Sequence, residues 1–388
     1  MKLFRLILRN AFRHKLRTSL TVIGIAVAVL AFALLRMVVG AFYAGIDVSA
    51  ADRLITRHAV SFVFSLPVSY MQKLLATEGV EDVTYAVWFQ GIYKDAAKFE
   101  NFWPRMAVNP DNFFKIYPEF VVSPDQYAAF RKERNAVIVG SETARKHNFK
   151  IGDIIPIAGD IYPGNWQFVI RGIYQGRDRE TDKTQMFFDF KYLDEVLQRD
   201  FPARSGRIGW YIVKVRNMNE SAQVSERIDA IFKNSSAETK TETEKAFNQS
   251  FISMYSAILT AMNFISFVII GIILLVLANT IAMTARERTT EYAVLKTLGF
   301  TSGHLTGLIS GEALLISMVG GAIGLTLSVP AAEGFQNAFP TIFPIWPDPT
   351  WILIWGAVAA VAVGVLAAAF PVLSVNRMRI VDGLRHID

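Results

Sequence analysis

Cysteine is absent from this sequence of 388 residues, and only five histidines are present. The absence of cysteine excludes disulfide bonds, so any domain outside a reducing compartment must be held together by its own core. The five histidines are scattered along the chain, and without cysteine beside them they argue against a metal site. We therefore expect no metal ion and no other cofactor bound by this chain.

Sequence motifs of enzymes are also missing. The chain contains no G-x-x-x-x-G-K-[ST] phosphate-binding loop, no H-E-x-x-H zinc motif and no G-x-S-x-G nucleophile motif. A chain without a phosphate-binding loop is not expected to hydrolyse ATP itself. We therefore predict no catalytic residues and no enzyme activity in this chain.

Apolar residues, in contrast, are abundant and make up 52% of the chain. They concentrate in four runs, at residues 19–42, 254–283, 305–331 and 351–373. Each run offers about 20 or more mostly apolar residues, the length that an α-helix needs to cross about 30 Å of hydrocarbon. Because lipid offers no hydrogen bonds to the backbone, these runs are predicted to be transmembrane helices.

The net charge of +6 is distributed unevenly. Residues 43–249 contain 27 basic and 27 acidic residues, whereas basic residues precede the first apolar run, occupy the 284–304 loop and follow the fourth run. This pattern excludes a basic nucleic-acid-binding domain and matches the excess of Lys and Arg on the cytoplasmic side of membrane helices. Both termini are predicted to be cytoplasmic, and residues 43–249 to lie outside. A cleaved signal peptide is the alternative for the N-terminus, although the first run is long for one.

The fold class predicted from these patterns is an α-helical integral membrane protein with four transmembrane helices and a mixed α/β periplasmic domain. Residues 43–249 alternate strand-like and helix-like segments and form that domain. Its last part, residues 234–251, is polar and leads into the second apolar run, which predicts a helical stalk above the membrane. Residues 1–18 predict an amphipathic helix on the inner leaflet, or alternatively a simple basic flank.

The third apolar run contains small residues at four-residue spacing and one acid. Gly307 and Gly311, and again Gly320 and Gly324, have the spacing that lets two helix backbones approach closely in lipid. Glu312 lies inside the same run, where an unpaired charge is unfavourable. We predict a hydrogen-bonded packing role for Glu312, with a proton-carrying site as the alternative.

A dense group of charges separates the second and third runs. Within the 284–304 loop, the sequence ARERTTEYAVLKTLGF ends at Gly299, a typical helix stop. A short helix with mixed charged and apolar residues below the membrane is suited to docking a protein. A solvated hairpin loop that only reverses the chain direction is the alternative interpretation.

This loop resembles that of the FtsX-like permeases of ABC transporters of the macrolide-exporter (MacB) type. The matching positions are Glu287, Arg288, Glu291, Ala293, Leu295, Lys296, Leu298, Gly299 and Glu312–Ala313. Residues 135–157 are similar to the family's periplasmic core segment, and the end of the chain is similar to the family's C-terminus at Pro371, Asn376–Arg377 and Gly383–Leu384–Arg385. Ile380 and Gly383 depart from the family pattern, and residues 52–135 match it only loosely.

The resemblance implies domain boundaries and functional residues. It implies a first transmembrane helix at 19–42, a MacB-like periplasmic domain with its stalk at 43–249, and an FtsX-like domain at 250–388. The family's coupling interface with an ATPase corresponds here to Arg286, Glu287, Arg288, Glu291, Leu295, Lys296, Leu298 and Gly299. The cytoplasmic tail, residues 374–388, contributes Arg377, Arg379 and Arg385.

The resemblance also implies partners and a mechanism. A cytosolic ABC ATPase dimer, expected as a separate polypeptide because only about 18 residues precede the first run, would bind ATP and Mg²⁺. The permease would pair with a second copy or with a paralogue in the bacterial inner membrane, in contact with lipid and in some systems with a periplasmic adaptor and an outer-membrane channel. ATP hydrolysis would move the periplasmic domain (mechanotransmission) and drive export or extraction of a hydrophobic, lipid, lipoprotein or drug-like cargo.

Two other functions remain as alternatives. One is an FtsX-like signalling permease that controls a cell-wall hydrolase, although such permeases have small outer domains. The other is a membrane-anchored enzyme, which the missing site motifs disfavour.

Overall fold

The computed structural model describes residues 2–47, 50–98, 101–178, 180–339 and 343–377. The chain divides into two compact units. A helical unit comprises Met1–Gly40, Tyr255–Asn337 and Pro347–Asp388, and an α/β unit comprises Ala41–Met254 and Ala338–Trp346.

The described residues form thirteen α-helices and twelve β-strands, with three short 3₁₀ turns between them. The helices are α1 (Lys2–Ala11), α2 (Lys15–Asp47), α3 (Met71–Leu75), α4 (Phe113–Ile116), α5 (Pro124–Lys132), α6 (Ser141–His147), α7 (Phe190–Asp200), α8 (Ser221–Phe232), α9 (Glu244–Ser253), α10 (Ser256–Glu287), α11 (Thr289–Thr297), α12 (Ser302–Ala338) and α13 (Pro349–Arg377). The strands are β1 (Arg53–His58), β2 (Leu66–Pro67), β3 (Val80–Trp88), β4 (Arg105–Val108), β5 (Phe120–Val121), β6 (Ala136–Gly140), β7 (Ile154–Gly159), β8 (Gly164–Gly176), β9 (Met186–Asp189), β10 (Arg207–Ile208), β11 (Trp210–Val215) and β12 (Thr239–Thr243).

Four described helices, α2, α10, α12 and α13, are long and apolar enough to cross a membrane. Their buried side chains form one apolar cluster that includes Ile25, Leu277, Ala313 and Ala367. The prediction of four membrane helices is thereby confirmed. The N-terminal amphipathic segment is shorter than the predicted 1–18, because α1 ends at Ala11 and α2 begins at Lys15.

The α/β unit is built on a ten-stranded mixed sheet. Its strand order is β12-β1-β11-β3-β4-β9-β6-β8-β5, and β7 pairs with β8. The pairs β4–β9 and β6–β8 are parallel, and the other pairs of this sheet are antiparallel. Successive side chains of a strand point to opposite faces, so Ile212 of β11 packs in one apolar cluster while Tyr211 and Val213 pack in another. The core therefore covers both faces of the sheet, and the mixed α/β prediction is confirmed.

The predicted helical stalk at 234–251 is wrong for its first half. Residues Thr239–Thr243 form the edge strand β12, which pairs with β1, and α9 ends at Ser253 before α10 begins. The alternation of threonines with Lys240 and Glu242 explains this difference, because the buried Thr239 and Thr241 face inward and donate hydrogen bonds to Asp229. A charged outer face is typical of an edge strand protected from further pairing.

Candidate functional site

The loop between the second and third membrane helices folds as a separate short helix. Helix α10 ends at Glu287, Arg288 separates it from α11, and α11 ends before Gly299, whose φ of +89° lies in the left-handed region. The backbone N–H groups of Gly299 and Phe300 donate to the carbonyls of Lys296 and Leu295. This is a glycine-terminated helix end, as the sequence predicts.

Arg288 is buried and lies at the centre of this region. Its guanidinium donates from Nη1 to Oε2 of Glu312 at 3.1 Å and from Nη2 to the carbonyl oxygen of Asn10 at 3.0 Å. The side chains of Arg288 and Glu312 are only 4% and 8% exposed. A side chain enclosed in this way presents no charge at the surface, so the place of Arg288 in the coupling interface stays a prediction that this contact does not support. Glu312 makes the hydrogen-bonded packing contact that was predicted for it, and its partner is Arg288.

The two acids on either side of Arg288 pair with basic residues near the N-terminus. Glu287 accepts two hydrogen bonds from Arg17, at 2.8 and 2.9 Å, and Glu291 accepts one from Arg13 at 2.6 Å. These four side chains are between 30% and 55% exposed. Two of the basic residues that precede the first apolar run, Arg13 and Arg17, thus bind the acids on either side of Arg288.

Helix α11 has an inner and an outer face. Tyr292 and Ala293 are buried, and burial raises the pKa of Tyr292 to about 12. Leu295 packs against the apolar cluster of the membrane helices, and Lys296 Nζ donates to the carbonyl oxygen of Val375 at 3.0 Å. Leu295 and Lys296 are half-buried and contact the membrane helices, and their place in the coupling interface stays a prediction.

The outer face of α11 consists of Glu291, Val294 and Leu298, with Val294 43% and Leu298 71% exposed. These positions are three and four residues apart, the spacing of one helix face. Val294 was missed by the sequence analysis, although this spacing could have identified it. Arg286 is exposed one turn before this face.

Three of the four predicted packing glycines allow close helix contacts. An added Cβ would lie 2.7 Å from Ile7 at Gly311, 2.8 Å from Ile25 at Gly320 and 2.5 Å from the Ala26 carbonyl oxygen at Gly324. Helices α1 and α2 therefore approach α12 at these glycines, as small residues permit in lipid. Gly307 is an exception, because nothing lies within 4 Å of its Cβ position. Gly307 faces outward on the first turns of α12, so its packing role stays a prediction.

Arg377 is the last residue of α13, whereas Arg379 and Arg385 lie outside the described residues. Within the described ranges, no cluster of three or more His, Asp or Glu side chains is arranged to hold a metal ion.

Family comparisons agree with this organisation. Residues 18–231 match the MacB-like periplasmic core domain, and residues 263–380 match the FtsX-like permease C-terminal domain. An uncharacterised ABC transporter permease of Methanocaldococcus jannaschii is 21% identical over 342 residues, which cover 83% of this chain and 82% of that protein. An uncharacterised ABC transporter permease protein of Mycobacterium tuberculosis is 23% identical over 209 residues, or 54% of this chain; the match spans only 23% of that protein's length.

Solved structures similar to this chain include two outer domains of transporters. The periplasmic region of MacB from Actinobacillus actinomycetemcomitans has a TM-score of 0.38 and 11% identity, covering 53% of this chain and 95% of that one. The extracellular domain of the ABC-type transporter YknZ from Gram-positive bacteria has a TM-score of 0.36 and 11% identity, covering 49% and 98%. Because the MacB-like model alone matches more than half of the sequence and the FtsX-like model matches its last third, the chain belongs to the MacB/FtsX-type permeases of ABC transporters.

Proposed function

We propose that this permease couples ATP hydrolysis by a separate cytosolic ATPase to movement of its periplasmic domain. In this proposal, α11 is the helix on which the ATPase docks, and both chain termini lie in the cytoplasm. The driven process is export or extraction of a hydrophobic, lipid, lipoprotein or drug-like cargo. ATP and Mg²⁺ belong to the partner, as the permease family implies an ATPase subunit.

The observation that carries this proposal is that α11, taken together with Glu287 and Arg288 just before it, is linked to every membrane helix. It follows α10 directly in the chain, and the Arg288–Glu312 ion pair ties its first turn to α12. Arg17 of α2 binds Glu287, the last residue of α10, and Lys296 of α11 donates to the backbone of α13 at Val375. A force applied to α11 would therefore reach all four spans at once, which supports a role in transmitting movement.

The outer face of α11 is suited to receive that force. Val294 and Leu298 together form an exposed apolar strip beside the carboxylate of Glu291. Exposed apolar side chains rimmed by charges are typical of a protein-binding surface. We infer that the ATPase covers Val294 and Leu298, and that Arg286 and Glu291 lie at the edge of the contact.

Replacing Leu298 with aspartate is the direct test of this contact. We expect Leu298→Asp to reduce the amount of ABC ATPase that co-purifies with the membrane-solubilised permease by about tenfold or more, because a central apolar anchor of an interface contributes about 2 kcal/mol or more. The co-purified protein is identified by mass spectrometry, and it is assigned as the ATPase because its sequence contains a phosphate-binding loop.

The matched control for this test is Gly303→Asp, which adds the same charge at an exposed position in the first turn of α12. An acid is tolerated at a helix N-terminus, so this variant is expected to retain the ATPase. Equal recovery of ATPase with parent and Leu298→Asp would contradict the proposed docking face.

A further inference from the structure

A buried ionic cluster in the α/β unit joins three distant parts of the chain. Arg53, the first residue of β1, is 5% exposed. Its guanidinium donates to Oε2 of Glu244 at 2.8 Å, to both carboxylate oxygens of Glu119 at 2.7 and 3.1 Å, and to the carbonyl oxygen of Ile116 at 3.1 Å. The Arg53 side chain therefore links the start of β1 to the first residue of α9 and to residues 116–119, which precede β5.

Tyr117 closes the cluster. Its hydroxyl donates to Oε1 of Glu244 at 3.0 Å, and its ring lies 4.2 Å from the Arg53 guanidinium carbon. Burial, followed by the charge of Glu244, raises the pKa of this hydroxyl well above its ordinary value, so Tyr117 stays protonated and donating. The backbone N–H of Ala50 donates to the same Glu244 carboxylate at 3.2 Å. These bonds connect four side chains that serve as hydrogen-bond donors and acceptors for one another. They are here called the Arg53 cluster and comprise Arg53, Tyr117, Glu119 and Glu244.

Along the chain, two residues of the cluster, Arg53 and Glu244, lie close to the membrane helices α2 and α10. Helix α2 ends at Asp47, shortly before Arg53, and α9, which begins at Glu244, is followed at once by α10. Any displacement of these two spans that enters the α/β unit along the chain must therefore pass residues bonded to Arg53.

The same cluster forms one wall of a large cavity in the α/β unit. The cavity has a volume of about 690 Å³ and is open to solvent. Its lining includes the four residues of the cluster and four aromatic side chains, namely Phe113, Phe120, Trp210 and Phe247. Residues 113–120, which carry Tyr117 and Glu119, contribute seven of the residues that line the cavity.

We propose that the Arg53 cluster is a positioning joint. The cluster makes residues 113–120 move together with the start of β1, which follows α2 in the chain, and with the start of α9, which precedes α10. Displacement of these two membrane helices therefore changes the width of the cavity. The source of the displacement rests on the proposed function, in which ATP hydrolysis moves the spans. The bonds of Arg53 to Glu119 and of Tyr117 to Glu244 are the side-chain contacts of the cluster that hold the 113–120 segment.

A neighbouring ion pair provides the matched control. Arg57 Nε of β1 and Glu242 Oε1 of β12 are 2.9 Å apart, and both side chains are 13% exposed. This pair ties β1 to β12 and makes no described contact with residues 113–120. A purely structural role would make Glu242→Gln and Glu119→Gln equivalent.

The test measures the distance across the cavity in the full-length protein reconstituted in lipid. Because the chain has no cysteine, spin labels can be attached only at introduced cysteines, Lys115→Cys on the 113–120 segment and Gln249→Cys on α9. The parent and Glu242→Gln are expected to give one narrow distance distribution. In Glu119→Gln we expect the distribution to widen about twofold, since the variant loses the charge-assisted bonds that hold the segment in place.

Tyr117→Phe is the second variant, because it removes one hydrogen bond while keeping the ring, and a smaller widening is expected. All variants are first required to elute and melt like the parent. Distributions in Glu119→Gln and Tyr117→Phe that match the parent in the absence of nucleotide would overturn the joint.

A second arm separates the joint from the proposed function. With the co-purified ATPase trapped by ATP and vanadate, the parent distance is expected to shift, whereas Glu119→Gln hydrolyses ATP at the parent rate without the shift. If the parent itself shows no nucleotide-dependent shift, the proposed function fails, while the nucleotide-free comparison still decides whether the cluster fixes the cavity wall.

Discussion

Replacement of Glu312 by alanine is expected to abolish most of the folded permease. The variant leaves the Arg288 guanidinium buried without its carboxylate, and removing one partner of a buried ion pair costs about 3–5 kcal/mol. That is a large share of the about 5–15 kcal/mol by which folded domains are stable. The measurement is the monodisperse peak height of a fluorescent fusion after solubilisation, together with its melting temperature.

Two further variants identify the cause of this loss. Glu333→Ala removes an exposed acid from the same helix α12 and is expected to behave like the parent. The double replacement Arg288→Met with Glu312→Leu removes both charges and is expected to recover folding, since apolar substitution of a whole buried pair is often neutral or stabilising. A melting temperature of Glu312→Ala equal to that of the parent would contradict the assigned role of this pair.

Reversal of the charge at Arg17 is expected to uncouple the transporter while leaving it folded. The Arg17–Glu287 pair is about one-third exposed, and such pairs contribute only about 0.2–1 kcal/mol to stability. In Arg17→Glu, however, the new glutamate repels Glu287 at the contact between α2 and the end of α10. We expect stimulation of the partner ATPase by the permease to fall about tenfold, the equivalent of about 1.4 kcal/mol of coupling.

The exchange of both charges gives the decisive comparison. Arg17→Glu combined with Glu287→Arg restores an attractive pair at the same place and is expected to recover most of the stimulation. Reversal at Arg131, whose exposed pair with Asp111 lies 2.7 Å apart in the α/β unit, is the control and is expected to change nothing. Single and double variants with the same stimulation as the parent would show that α2 is not driven through this contact.

The membrane helices were predictable because lipid imposes a simple rule on sequence. A crossing helix needs a long apolar run, and each predicted run lies within or close to the helix observed. The predicted and observed bounds are 19–42 for Lys15–Asp47, 254–283 for Ser256–Glu287, 305–331 for Ser302–Ala338 and 351–373 for Pro349–Arg377. Apart from the start of α10, the helices extend beyond the predicted runs, because backbone hydrogen bonds continue into the polar residues that flank each apolar run.

The arrangement of charges around α11 was not predictable from local sequence. Each of Glu287, Arg288 and Glu291 carries one full charge, and the sequence does not distinguish a buried charge from an exposed one. Only Arg288 is buried, because α1 and α12 pack around it. Arg288 and Asn10 are 278 positions apart in the sequence, and a local hydrophobic pattern cannot predict a contact over that separation. The edge strand β12 was missed for a similar reason, since its polar threonines pair only after β1 is in place.

The rate of ATP hydrolysis by the co-purifying ABC ATPase, measured with the permease in lipid nanodiscs and with empty nanodiscs, tests the central claim most directly. If α11 receives the ATPase and transmits its movement, the permease should change that rate several-fold, by about 1 kcal/mol or more of coupling, and Leu298→Asp should abolish the change. An ATPase that hydrolyses ATP at the same rate with and without the permease, or that ignores Leu298→Asp, would contradict it.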